Sequence, residues 1–250
     1  VPLGLQMGSN SGAIQVNGNG HQLTGGSLKP VIRNNTQSTL QVNSGNAMAL
    51  VGQNITLSGG VLTAENGRIE LGGVKKGIVN LDSKSSNFQL NYDNVENFGD
   101  IQLINQSLLD TSGLTSRGIQ LQAENLALKD GSVSLIQNTG NETASDIKVS
   151  AKGTLELSGD VRIAPDVGGA TGVVSSRFIT ETLGTANSAD INVDAGNLQL
   201  DNGGIFLART YSAAMGGNIT VNVAGDIQLN GTAPLNPITP SGIATSTFGS

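Results

Sequence analysis

The stretch Asp190-Ile191-Asn192-Val193-Asp194-Ala195-Gly196-Asn197-Leu198-Gln199-Leu200-Asp201-Asn202-Gly203-Gly204-Ile205 decides the fold. Apolar and polar residues alternate in Ile191-x-Val193-x-Ala195 and again in Leu198-x-Leu200, and a glycine pair then leads to Ile205. Period-two alternation over three to five residues is the signature of short strands, not of a helix. Between the first two runs sits Gly196-Asn197, residue types that tolerate a left-handed backbone at low cost. The same pattern returns at Gly118-Ile119-x-Leu121-x-Ala123-Glu124-Asn125-Leu126-x-Leu128, followed by Gly131-x-Val133. It returns at Asp146-Ile147-x-Val149-x-Ala151 with Leu155-x-Leu157 and Gly159-x-Val161. It returns once more at Asn218-Ile219-x-Val221-x-Val223 with Asp226-Ile227-x-Leu229.

Weaker copies lie upstream, at Ala49-Leu50-Val51-Gly52-Gln53-Asn54-Ile55-x-Leu57 and at Phe98-Gly99-Asp100-Ile101-x-Leu103. Ile119 to Ile147 and Ile191 to Ile219 are each 28 residues, whereas Ile147 to Ile191 is 44. The longer interval predicts an inserted surface loop near 164–187, rich in Gly, Ser and Thr. Three strands and three bends per repeat, always in one register, predict an all-β chain folded as a right-handed parallel β-helix. A β-sandwich also offers many short strands, but a corner locked to the repeat favours the solenoid. Stacking would place Ile119, Ile147, Ile191 and Ile219 in one interior column and Leu128, Leu157, Leu200 and Leu229 in another. Asn54, Asn125 and Asn197 would form an amide ladder at the corner. Residues 1–40 fit the repeat poorly and are expected to be an N-terminal cap or variant coil. Residues 41–250 are expected to be β-helix repeats, with the chain stopping inside a repeat at Gly242-Ile243.

Composition narrows the function. The 250 residues include 35 glycines, no Cys, no Trp and one His, against about 7% Gly in average usage. No Cys means no disulfide, no thiolate chemistry and no zinc–thiolate cluster. Thirteen basic against 19 acidic residues leave no electrostatic footprint for nucleic acid. No apolar run reaches the ~18 residues of a membrane-spanning helix.

Any Ser/His/Asp arrangement would have to use His21, which follows Asn-Gly and is expected to be a surface turn residue. No Gly-x-Ser-x-Gly elbow occurs. Asp190, Asn192 and Asp194 share one strand face with Asp201 nearby, and they offer oxygen ligands of the kind Ca²⁺ prefers. The Gly-Gly-x-Gly-x-Asp nonapeptide of calcium-loaded β-rolls is absent, and no aromatic platform for a sugar lies near these Asp residues in sequence. They read as a solvated strand face. Lys75-Lys76 reads as a solvated basic pair in a loop. Arg117-Gly118 is followed by Ile119, which excludes an Arg-Gly-Asp tripeptide. No catalytic, cofactor-binding or metal residue is assigned, and no cofactor is expected.

Val1-Pro2-Leu3-Gly4-Leu5 with Gly8-Ser9-Asn10, Leu50-Val51-Gly52-Gln53-Asn54-Ile55, Gly67-Arg68-Ile69-Glu70-Leu71-Gly72 and Phe98-Gly99-Asp100-Ile101 resemble the exoproteins of two-partner secretion. These are the filamentous-haemagglutinin-like family, and the cyanobacterial type is the most similar. The resemblance implies export through an outer-membrane β-barrel partner, a secreted location at the outer cell surface, and a role as adhesin, filament or toxin-presenting stalk. The family's secretion domain carries Asn-Pro-Asn-Gly and Asn-Pro-Asn-Leu signatures, whereas this chain has a single Asn-Pro, Asn236-Pro237, followed by Ile238. The chain is therefore expected to be the segment after the secretion domain, with the partner recognised through a missing N-terminal domain.

The expected function is a structural, non-enzymatic segment of a secreted, surface-exposed β-helical exoprotein that supports adhesion or filament formation, with a host, cell-surface or glycan ligand. The alternative is a carbohydrate-binding or polysaccharide-degrading β-helix. The unfinished last repeat is expected either to fray or to pack end to end with another copy.

Overall fold

The computed structural model describes residues 3–8, 10–25, 29–33, 36–82, 88–163 and 172–249. These residues are all-β and contain no helix. Long parallel sheets dominate, in an arrangement compatible with a β-solenoid.

The three runs read from the sequence are three stacks of parallel strands. The first stack joins Ala47–Gly52, the start of Arg68–Asp82, Ile119–Ala123, the start of Ile147–Ser158, the start of Ile191–Asp201, and Ile219–Val223. Its register aligns Ile69, Ile119, Ile147, Ile191 and Ile219. The second stack aligns Leu57, Leu103, Leu128, Leu157, Leu200 and Leu229. Both expected columns are therefore present, and each reaches further toward the N-terminus than the clear repeats did. All these side chains are fully buried except Ile219 and Leu229 in the last coil. Each buried Leu or Ile contributes roughly 1.5–3 kcal/mol relative to exposure, which makes an aliphatic core sufficient without Trp.

The third stack runs through Val61–Thr63, Leu108–Asp110, Val133–Asn138, Arg177–Thr182, Ile205–Thr210 and Gly242–Thr247. Here the sequence reading needs correcting. Arg177–Thr182 lies within 164–187 yet is a full member of the stack, not part of a loop. Its alternation is hidden because the strand is buried on both faces, so polar Thr180 and Glu181 are buried along with Phe178 and Ile179. The actual insertion is the antiparallel pair Asp160–Arg162 and Val173–Ser175. Val161 belongs to it and is not a third-run residue. The tip of this insertion, 164–171, lies outside the described residues.

The outer face of the third stack forms a second core, in which Val61, Leu108, Val133, Leu135, Ile179 and Ile205 pack with Leu23 and Val174. Its cover is the N-terminal segment around Leu23 and Val31 together with Val161, Ile163 and Val174. The other large insertion is a hairpin. Arg68–Asp82 leaves the stack after Gly73 and pairs antiparallel with Gln89–Phe98 on one side and Gly4–Met7 on the other. Lys75 and Lys76 therefore sit in a strand rather than a loop, and Lys76 pairs with Glu96.

The corners also differ from expectation. The left-handed residues cluster at the second corner, after the Leu-x-Leu run: Gly59, Asn105, Gln106, Asp130, Gly131, Gly159, Asn202, Gly203 and Gly231 all have positive φ. The first corner has another device. The Asn125 carboxamide oxygen accepts the Thr154 N–H of the next coil at 3.0 Å, and that of Asn197 accepts the Asp226 N–H at 3.0 Å. Asn54 accepts the Asp100 N–H in the same way at 2.9 Å. The expected amide-on-amide ladder is thus a side-chain-to-backbone ladder. The reason is that a bend takes an N–H out of the strand ladder, and the side-chain oxygen of the neighbouring repeat supplies the acceptor. Glycine opposite is required by space. A Cβ on Gly153 or Gly225 would stand 2.4 Å from the carboxamide oxygen below it.

Candidate functional site

His21 is not a surface turn residue: it is fully buried. Its Nε2–H donates to the Gly131 carbonyl at 2.8 Å, and its Nδ1 accepts the Leu23 N–H at 3.2 Å. One donating and one accepting ring nitrogen require the neutral ε-tautomer. Burial pushes its pKa down to about 4, against a smaller upward pull from the Gly131 hydrogen bond. Both nitrogens are committed to backbone groups, so the imidazole has none left for proton transfer to a substrate.

Asp190, Asn192 and Asp194 do not gather into a ligand cage. Each reaches along the stack instead. Asp190 Oδ1 accepts the Asn218 N–H at 2.7 Å, Asn192 donates to Asp146 at 3.1 Å, and Asn222 donates to Asp194 at 3.0 Å. Asn230 donates to Asp201 at 3.0 Å in the same manner. Parallel strands lie about 4.8 Å apart, so equal charges in one column would repel, and pairing an amide with each carboxylate removes that cost. Among the described residues no group of three or more His, Asp or Glu is placed to hold a metal ion.

The structure brings together two polar clusters that sequence reasoning missed. The first lies under the hairpin. Arg68 Nε donates to Glu70 Oε1 at 2.5 Å, and its other nitrogens reach the Arg117 carbonyl at 2.6 Å and Gln120 Oε1 at 2.8 Å. Burial raises the Glu70 pKa, opposed by the Arg68 charge and hydrogen bond. Tyr92 packs beside this pair, and its pKa is raised by burial and then by the Glu70 charge. Above it opens a groove of about 460 Å³ between the hairpin and the first stack, lined by Asn91, Tyr92, Asp93, Phe98, Gln122 and Lys152 among others. The Lys152 ammonium stands 5.8 Å from the Phe98 ring centre. A second groove, of about 210 Å³, shares Gln120 and Gln122 and extends to Asn192 and Asp194. The aromatic rings absent near Asp194 in the sequence are thus brought to that side of the molecule by the hairpin.

The second cluster fastens the N-terminal segment. Glu181 is buried, and its Oε2 accepts the Val31 N–H at 2.9 Å and the Gln137 amide at 2.9 Å. Gln137 also donates to the Val31 carbonyl at 2.8 Å, and Arg33 pairs with Asp110 at 2.9 Å. Burial raises the Glu181 pKa against the pull of these hydrogen bonds and of Arg209 and Arg177. No sequence motif marks Glu181, which sits in a Thr-rich run and acquires its partners only through the third stack.

These features define a repeat-built β-protein whose first repeats carry extra elements: an N-terminal segment, a hairpin and a covered third sheet. Residues 1–123 match the family model of the TPS secretion domain, and the match supports a two-partner-secretion exoprotein. The match supports the filamentous-haemagglutinin-like type. No curated protein and no solved structure matches the chain.

The match corrects the sequence reading in one respect. The chain contains the secretion-domain segment instead of following it, so partner recognition is not confined to a missing domain. The short Asn-Pro signatures are a local criterion, whereas the family pattern extends across the strands, N-terminal segment and hairpin of residues 1–123. The secretion domain implies export across the outer membrane by a partner transporter.

Proposed function

We propose that the chain is the secretion domain and first coils of a right-handed parallel β-helix, and that the exoprotein acts at the outer cell surface as an adhesin or filament. In this reading residues 1–40 are a variant first coil and strap, and residues 41–250 are the repeats. The observation that carries it is the constant register of the three strand stacks, in which each coil offers the next the same apolar columns and the same Asn-to-backbone corner. Such a stack extends by repetition, which suits a stalk or filament. The role is structural and not catalytic: the single His is neutral and committed to backbone groups, and the outward carboxylates are used in ladders. Cells producing the exoprotein with its transporter are expected to lose the protein to external protease, and to attach to a solid support better than cells lacking it. An exoprotein found only in the medium, with attachment unchanged, would refute the surface role.

A second reading, carbohydrate binding, is favoured by the amide-lined groove beside Tyr92, Phe98 and Lys152. It would show itself as glycan-array binding by the purified chain that Phe98→Ala abolishes.

A further inference from the structure

Within the 20–33 segment the described residues have one local backbone pairing, Thr24 with Ile32, and their side-chain anchors are distant in sequence. His21 bonds a residue 110 positions away, Val31 residues 106 and 150 away, and Arg33 a residue 77 away. Three of these partners, Gly131, Gln137 and Glu181, lie beyond the matched 1–123 segment. The other N-terminal strands find their partners within the 1–123 segment: Gly4–Met7 pairs with Arg68–Asp82, Ile14–Asn17 with Ile55–Ser58, and Leu40–Gln41 with Val61–Thr63. The anchor for Val31 is complete only when Val133–Asn138 and Arg177–Thr182 have paired, because that pairing sets Gln137 beside Glu181. The entropy of closing such long loops grows slowly with length, so the segment is held well once that anchor is complete. Before then the early coils offer it the Gly59 and Gln106 carbonyls and Asp110, but not the Gly131, Gln137 and Glu181 anchors.

We infer that residues 20–25 and 29–33 form a strap that docks last, with the Glu181 carboxylate as its latch, so that the secretion segment has two forms, one open and one strapped. In the open form the Val31 N–H and His21 ring lack their partners. The outer row Val61, Leu108, Val133 and Ile179 then lacks its cover from Leu23 and Val31. In the strapped form Glu181 Oε2 receives both the Val31 N–H and the Gln137 amide, which ties the strap, Val133–Asn138 and Arg177–Thr182 at one atom. The inference goes beyond export itself: it makes completion of the secretion segment depend on chain that follows it.

Pulsed hydrogen exchange during refolding of the 250-residue chain from urea tests this directly. Amides of 21–25 and 31–33 are expected to gain protection in a later phase than those of Ile147–Ala151 and Ile191–Ala195. Protection gained in the same phase, or earlier, would overturn the inference. A second measurement uses Glu181→Ala at equilibrium. The Val31 amide is expected to exchange at least about tenfold faster while Ile147 and Ile191 amides are unchanged, and Glu181→Gln, which keeps an acceptor oxygen, is expected to restore most of the protection. Val31 protection unchanged in Glu181→Ala, or lost equally throughout the coils, would remove Glu181 as the latch. The refolding experiment on the unaltered chain still decides the order of docking if the variant fails to fold.

Discussion

His21 shows how one side chain can be read in opposite ways. Asn-Gly before it and Gln after it suggest a turn in water, yet the strap carries it under the outer face of the third sheet, where it is neutral and doubly hydrogen-bonded. Protonating Nδ1 would set an N–H against the Leu23 N–H, so the native state resists the charge. The folded pKa of about 4 lies below the ordinary 6.5. Below 6.5 the unfolded chain takes up a proton that the folded chain refuses, and stability falls as pH drops through 6.5 toward 4, levelling off once the native ring also titrates. A shift of this size corresponds to on the order of 3 kcal/mol. The buried carboxylates Glu70 and Glu181, with raised pKa values, act in the opposite direction, so the His21 contribution must be isolated by difference. The stability of the unaltered chain relative to His21→Gln is expected to decline between pH 6.5 and 4, as measured by urea midpoints of both chains across that range.

At the scale of the strand, the inside–outside alternation sets the energetics. Leu157 and Leu200 are fully buried in one column, whereas Lys148 points to solvent. Leu157→Ala or Leu200→Ala is expected to cost about 2–5 kcal/mol through cavity formation, and Lys148→Ala to stay within about 0.5 kcal/mol. Urea melts giving equal losses at both kinds of position would contradict the assignment. The same alternation explains which strands could be read. Ile119–Ala123, Leu126–Lys129 and Ile219–Val223 have one dry and one wetter face, so their sequences alternate. Val133–Asn138 and Arg177–Thr182 are covered on both faces, and for Arg177–Thr182 that erased the pattern on which the reading relied.

For the whole molecule, stability of a stacked repeat is a sum over neighbours, so the last coil is the weakest. Ile227, Leu229 and Ile243 are 53%, 47% and 42% exposed, while their column mates Leu198, Leu200 and Phe206 are fully buried. Among the described residues no strand lies beyond them in the three stacks. Amides of Ile219–Val223 and Ile227–Asn230 are therefore expected to exchange at least about tenfold faster than those of Ile147–Ala151 in the monomer. Strong, uniform protection with no concentration dependence in light scattering would mean that this coil is self-sufficient. Protection that rises with concentration would mean that another copy covers it.

The sequence by itself determined the all-β class, the parallel strand runs, their two buried columns and the place of the first corner, because those depend on local alternation repeated at a fixed register. It also carried the kinship with two-partner secretion, since a repeat pattern spread over many coils survives in the residues themselves. Tertiary structure alone decided the rest. Burial on a second face turned a polar-looking segment, Arg177–Thr182, into core. A strap bonding residues up to 150 positions away made Glu181 and His21 into structural anchors. A hairpin laid over the first stack brought Tyr92 and Phe98 beside Gln122 and Lys152. In each case the partner is distant in sequence, and what a residue faces across a stack of coils is set by the number of residues inserted between them, which no local pattern records.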